Sequence, residues 1–83
     1  MDYTVYILYS ALIDKFYVGY TNNIERRLKE HNRRKGKYTD RGIPWALSYT
    51  ESFSSKTEAM TRESEIKSKK SRSYIENLIK AKQ

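Results

Sequence analysis

Phe16-Tyr17-Val18-Gly19-Tyr20-Thr21-Asn22-Asn23-Ile24-Glu25-Arg26-Arg27-Leu28-Lys29-Glu30-His31 reads as a β-strand that runs straight into an α-helix. Phe16 to Tyr20 is aromatic and β-branched, which suits a pleated, half-buried surface. Thr21-Asn22-Asn23 supplies side-chain oxygens for the unpaired N–H groups of a helix start. Asn22, with Glu25 three residues on, has the spacing of a capping box, Asn taking the Ser/Thr position. Ile24, Leu28 and His31 then recur at helical spacing, so one helix face looks inward. Arg26, Arg27 and Lys29 fall within the same two turns. Gly19 leaves room on the sheet face just before the turn. A junction with a phenol before it and a guanidinium after it is suited to holding a phosphate.

Upstream, Tyr3-Thr4-Val5-Tyr6-Ile7-Leu8-Tyr9-Ser10 is apolar on both parities, the mark of a central strand covered on both faces. Only Ala11-Leu12-Ile13-Asp14 separates it from the second strand, Lys15 to Tyr20, so the two form an antiparallel hairpin. A turn centred near Leu12 places Tyr6 opposite Tyr17 with both side chains on one face. A slip of one residue would part them.

Downstream, the helix extends from about Asn23 to about Arg34, with Gly36 as its expected stop. Lys37 to Pro44 is a polar loop. Trp45-Ala46-Leu47-Ser48-Tyr49-Thr50-Glu51-Ser52-Phe53 is a third strand, with Trp45, Leu47, Tyr49 and Phe53 on one packed face. Ser55-Lys56-Thr57-Glu58 is a capping box that opens a second helix running to about Lys69 or Lys70. Ala59, Met60 and Ile66 define its inner stripe, and Glu63 shares that phase. Ser73-Tyr74-Ile75-Glu76 caps a last helix whose apolar side is Ile75, Leu78 and Ile79. The order β-β-α-β-α-α gives an α+β fold, a small three-stranded antiparallel sheet flanked by helices.

A chain of 83 residues is expected to be a single domain, here residues 1–83. The lack of Cys excludes disulfides and thiolate metal sites, and one His excludes a histidine-cluster metal site within the chain. No charged leader precedes a long apolar core, and no apolar run approaches the roughly 18 residues of a membrane span. A cytoplasmic protein without a membrane partner is the expectation. A formal charge of +7 with 13 % aromatics points to a polyanionic partner, nucleic acid first, with a merely solubilising basic surface as the alternative. The cations gather in two runs: Arg26, Arg27, Lys29, Arg33, Arg34, Lys35, Lys37 and Arg41, then Lys67, Lys69 and Lys70. Beside Tyr38, Trp45 and Tyr74 they would make a groove with stacking platforms.

Tyr6, Tyr17, Arg27 and Glu63 carry the candidate chemistry. Cutting a phosphodiester needs an activated water, neutralised phosphate charge and help for the leaving oxygen. A phenol beside a metal or an Arg can relay a proton. An Arg can clamp two phosphate oxygens. A lone carboxylate can hold one Mg²⁺, which keeps several waters. Each residue also has a structural alternative. A strand Tyr can simply pack, Arg27 can be solvated, and Glu63 can pair internally with Arg27 or Lys67. His31 on the apolar stripe can be a hydrogen-bonded core histidine.

These residues resemble the GIY-YIG nuclease superfamily. Its first signature strand matches Thr4-Val5-Tyr6 and its second Tyr17-Val18-Gly19. The family Arg falls on Arg27 and the metal-binding Glu on Glu63. The likeness runs from about residue 2 to about residue 77. Lys37-Tyr38-Thr39 and Pro44-Trp45-Ala46-Leu47 further resemble a short, single-domain bacterial branch related to the nuclease domain of the excision-repair incision subunit. The resemblance implies a metal-dependent endonuclease acting on DNA, structure-selective and tied to repair or recombination; the same chemistry admits RNA. Tyr17, with Tyr6, would help deprotonate the attacking water, Arg27 would hold the scissile phosphate, and Glu63 would bind one Mg²⁺ or Mn²⁺. Gly19 and His31 would support the site. Asn77 is the candidate for the late Asn of many members. Thr4 stands where the name-giving Gly would be.

Two other functions fit the same sequence. One is a non-catalytic nucleic-acid-binding module that kept the fold, carried by the basic runs. The other is a small adaptor for a larger repair protein, which an exposed apolar patch on the last helix would favour.

Overall fold

The computed structural model describes residues 2–82. Three strands, β1 (Tyr3–Ser10), β2 (Lys15–Thr21) and β3 (Ala46–Phe53), form one antiparallel sheet in the order β2-β1-β3. Three α-helices follow the expected order: α1 (Ile24–His31), α2 (Lys56–Ser68) and α3 (Arg72–Ala81). The central place of β1 explains its two apolar parities. Val5, Ile7 and the β2 residue Val18 pack with Ala59 and Ile66 of α2 and with Ile75, Leu78 and Ile79 of α3. Tyr6 and Leu8 pack on the other face with Trp45 and with Ile24 and Leu28 of α1. The sheet is thus sandwiched between α2 with α3 and α1 with its following loop. No helix of the described residues is long and apolar enough to cross a membrane.

The register corrects the hairpin. Ser10 pairs with Lys15, so Tyr6 lies opposite Gly19 and Leu8 opposite Tyr17. The phenols still share a face because the displacement preserves parity. Asp14 closes the turn at φ +53°, a conformation a short polar side chain tolerates.

Several other expectations shift. Asn23, not Asn22, caps α1, its side chain accepting from the Arg26 amide at 3.0 Å. The helix ends at His31 rather than Arg34. Asn32 leaves it to hold Trp45, accepting from its N–H at 2.6 Å and donating to its carbonyl at 3.0 Å. Gly36 takes φ +71° in the loop beyond, not at the helix end. In β3, Ser48 is left unpaired between Leu47, opposite Leu8, and Tyr49, opposite Ile7. That bulge reverses the parity. Trp45 therefore joins the Tyr6 face, Tyr49 and Phe53 join the other, and Leu47 is exposed. Met60 is also exposed rather than part of the α2 stripe. Ser71, not Ser73, caps α3.

Candidate active site

The site begins with a cross-strand pair. Tyr6 projects from the buried centre of β1, and Gly19 opposite it has no Cβ to obstruct the ring. A Cβ built on Gly19 would lie 2.5 Å from the Tyr6 hydroxyl. β2 then turns through Thr21, whose hydroxyl accepts from the Asn23 amide at 3.1 Å, into the capped start of α1. Arg27 and His31 are four residues apart on α1 and so stack on one helix face. Both reach the same hydroxyl. Arg27 donates through Nε to Tyr6 at 3.3 Å, and His31 Nε2 is 3.0 Å from it.

The donor inventory assigns the protons. A guanidinium has no acceptor. The buried Tyr6 proton therefore goes to His31 Nε2, which requires a neutral ring protonated on Nδ1. Burial, and then the Arg27 charge, lower the His31 pKa to about 4. Burial also raises the Tyr6 pKa, against the opposing pull of Arg27. Both groups are neutral near pH 7.

Tyr17 is half-buried beside this network. Its ring stacks on Tyr6 with centroids 6.5 Å apart and meets His31 edge-on at 4.6 Å. Arg27 Nη1 pairs with Glu30 Oε1 at 3.1 Å, and the Arg27 guanidinium holds the Glu30 carboxyl below its usual range.

The remaining carboxylate comes from the opposite layer. Ala59 and Ile66 are the buried residues of α2. Glu63 lies four residues after the first and three before the second, so its side chain turns toward the sheet and is only 18 % exposed. Lys67 pairs with it at 3.5 Å. A concave cavity of about 420 Å³ is lined by Tyr6, Tyr17, Gly19, Arg27, Glu30 and Glu63, with Arg26 and Lys56 at its wall. It opens on the edge strand β2, where α1 on one face and α2 on the other both contribute.

Tyr6, Tyr17, Gly19, Arg27 and Glu63 are thus brought together, with His31 behind them. Asn77 is not: it is exposed on α3, outside that cavity. Of the basic residues, Arg26 lines the first cavity, and Lys35 and Lys37 line a second one. Arg26, Lys29 and Arg33 border a further hollow. Arg34 acts on Asp40, Arg41 lies over the Tyr38 ring, and Lys69 lies over Tyr74. Lys70, just past the end of α2, takes φ +47°. Trp45 is buried, donating to the Thr39 carbonyl at 2.9 Å, so it is no stacking platform. Tyr74 is half-buried and accepts from Arg62 at 3.1 Å. Glu30 is a site residue that the sequence reading does not single out. Its spacing of three from Arg27 is the signal that marks it as a partner.

Among the described residues, no group of three or more Asp, Glu, His or Cys side chains gathers as a metal cluster would.

The GIY-YIG catalytic domain family profile matches residues 2–77. A UPF0213 protein of Natronomonas pharaonis is 48 % identical over 79 residues, covering 94 % of this chain and 91 % of the relative. A UPF0213 protein of Bacillus licheniformis is 54 % identical over 67 residues, covering 80 % of this chain and 68 % of the relative. The solution NMR structure of a UPF0213 protein from Bacillus halodurans superposes with a TM-score of 0.63 at 35 % identity, covering 99 % of this chain and 86 % of that one.

Proposed function

Because this chain belongs to the GIY-YIG catalytic domain family, we propose that it hydrolyses phosphodiester bonds in DNA with one divalent ion, Mg²⁺ or Mn²⁺. The observation that carries this reading is the single cavity walled by Arg27, two phenols and the half-buried carboxylate of Glu63. The donor set fits such an ion. Glu63 pairs, among the described residues, only with the exposed Lys67. Mg²⁺ needs one or two carboxylates when substrate phosphate and water complete its shell. When bound, the ion would neutralise phosphate charge and acidify a water.

The chain's own residues divide the remaining work. Arg27 has Nε on Tyr6 and Nη1 on Glu30, which fixes the guanidinium plane and points it at the cavity. A phosphate arriving there meets a preset donor. The hydroxyl of the buried Tyr6, engaged by His31 and Arg27, orients Arg27. Tyr17, the less buried of the two phenols lining the cavity, would relay the proton of the attacking water, accepting it as its own hydroxyl proton passes to solvent. His31 is kept neutral by burial and by Arg27. A phosphate on Arg27 offsets that second influence, so His31 becomes a better proton acceptor once substrate is in place. The same proposal extends to structure-selective cleavage in repair or recombination, to a larger repair protein as partner and to a cytoplasmic setting.

Branched, nicked and single-stranded DNA, incubated with Mg²⁺, Mn²⁺ or EDTA, tests it. Cleavage should require metal and fall by about 10²–10³-fold in Arg27→Ala and Glu63→Ala, the range for losing one preorganised charge partner. Tyr17→Phe should fall comparably. Equal cleavage by all variants would overturn the assignment. Salt-dependent binding with no cleavage in any metal would leave the non-catalytic binding module, which the charge of +7 favours.

A further inference from the structure

Beside the first cavity lies a second, of about 290 Å³, and the two share Tyr17, Arg27 and Glu30 as a common wall. Lys35 and Lys37 line it, and Glu30, its carboxylate, is already paired with Arg27. It is therefore cationic. At its far side stands Tyr38, with 77 % of its surface exposed. Tyr38 also borders a third hollow of about 220 Å³, lined by Ile13, Phe16 and Trp45. A cationic hollow and an aromatic one thus meet at a single exposed ring. A nucleotide has the same division, an anionic phosphate joined to a flat base.

The loop that presents Tyr38 is built rather than loose. Asp40 Oδ2 accepts from the Lys35 and Gly36 amides at 2.8 and 2.6 Å. The Thr39 carbonyl accepts from the buried Trp45 indole. Gly42 lets that indole lie flat against the backbone, since a Cβ there would overlap it. Anchors therefore lie on both sides of Tyr38 in the chain, while the ring itself is left out, with the Arg41 guanidinium 5.4 Å from its centroid. A ring this exposed adds little to the core, and holding it still in advance lowers the entropy cost of stacking.

We infer that this region is a nucleotide subsite next to the scissile phosphate. Lys35 and Lys37 take the neighbouring phosphate and Tyr38 stacks on its base, which must be unpaired. The inference rests on the nuclease reading for its position along the substrate, and its binding chemistry is measurable without hydrolysis.

Fluorescence anisotropy of the full chain with a short single-stranded oligodeoxynucleotide, in EDTA, tests it. Tyr38→Ala should weaken binding about tenfold, within the range for one stacked base, and Tyr38→Trp should restore it. An abasic strand of equal length should bind the parent about tenfold less well and Tyr38→Ala no less well. A blunt duplex should not distinguish the two proteins. Lys37→Ala should flatten the salt slope by about one phosphate contact, whereas Tyr38→Ala should leave it unchanged. Equal affinity of parent and Tyr38→Ala for the single strand, or no loss on the abasic strand, would overturn the subsite. Glu63→Ala separates the two claims. It should lose cleavage under the nuclease reading yet keep the Tyr38 contribution. Stacking without cleavage in the parent would refute hydrolysis alone, and cleavage indifferent to Tyr38 would refute the subsite alone.

Discussion

The hydroxyl of Tyr6 and Nε2 of His31 lie 3.0 Å apart, joining the central strand to the last turn of α1 across 25 residues of sequence. The bond needs an unprotonated Nε2, and the His31 pKa is lowered to about 4 from an ordinary 6.5. Between those values the unfolded chain binds the proton that the folded chain refuses. Stability from this residue is complete above about pH 6.5 and is lost as pH falls toward 4, by up to about 3 kcal/mol. Urea denaturation at pH 7, 6, 5 and 4 should show that decline, and His31→Gln should flatten it across the same interval.

Gly19 should tolerate no side chain. In Gly19→Ala the new Cβ would lie 2.5 Å from the Tyr6 hydroxyl and 2.7 Å from Cζ, on a ring pinned by Arg27 and His31. A cost of about 1–3 kcal/mol is expected, with Arg27 displaced and cleavage reduced. Gly36→Ala is the control. At φ +71° with nothing within 4 Å, it should cost about 1 kcal/mol from backbone strain alone and leave cleavage unchanged. Denaturation midpoints and cleavage rates of the two variants check this.

Glu30→Gln should separate binding from turnover. The lost carboxylate no longer offsets Arg27, so DNA should bind more tightly. Arg27 also exchanges its charged acceptor for a neutral amide oxygen that holds its plane less firmly, so the single-turnover cleavage rate should drop about tenfold. Stability should change little, since the pair is partly exposed. Faster cleavage in Glu30→Gln would mean that the carboxylate restrains Arg27 instead of orienting it.

Asn32→Ala should unpin β3. It removes both hydrogen bonds to the Trp45 backbone and leaves that N–H without its acceptor. About 2 kcal/mol is expected, a melting-temperature loss of roughly 8–16 °C for a domain this size. Thermal unfolding followed by far-UV circular dichroism measures it.

What the sequence could reveal follows from where each signal is stored. The two-sided apolar character of Tyr3 to Ser10 is local, and it placed β1 at the sheet centre. The phase of Glu63 against Ala59 and Ile66 is also local, and the carboxylate does turn toward the sheet. Asn22 and Asn23 differ only in which one the chain bends around, so composition could not choose between them. α1 stops at His31 because Asn32 has a partner 13 residues away, which helical periodicity cannot register. The face of Trp45 depends on one unpaired residue, Ser48, and strict alternation reads past it. Met60 was counted inward by being apolar, although its neighbour Ala59 already occupies the buried position. Tyr6 was recognisable as a candidate. That both Arg27 and His31 converge on its oxygen depends on how α1 docks, which no short-range pattern contains.

The carboxylate and the guanidinium belong to opposite layers of the sandwich, and they also belong to different stages of synthesis. A nascent chain emerging through Phe53 already holds all three strands, both phenols and Arg27, but it lacks the acidic residue that α2 brings. Under the proposed mechanism such a half-made product could grip a phosphate without cutting it. Competence to cleave would then arrive only when α2 folds back over the sheet, so the architecture would hold the proposed activity in check until that helix is in place.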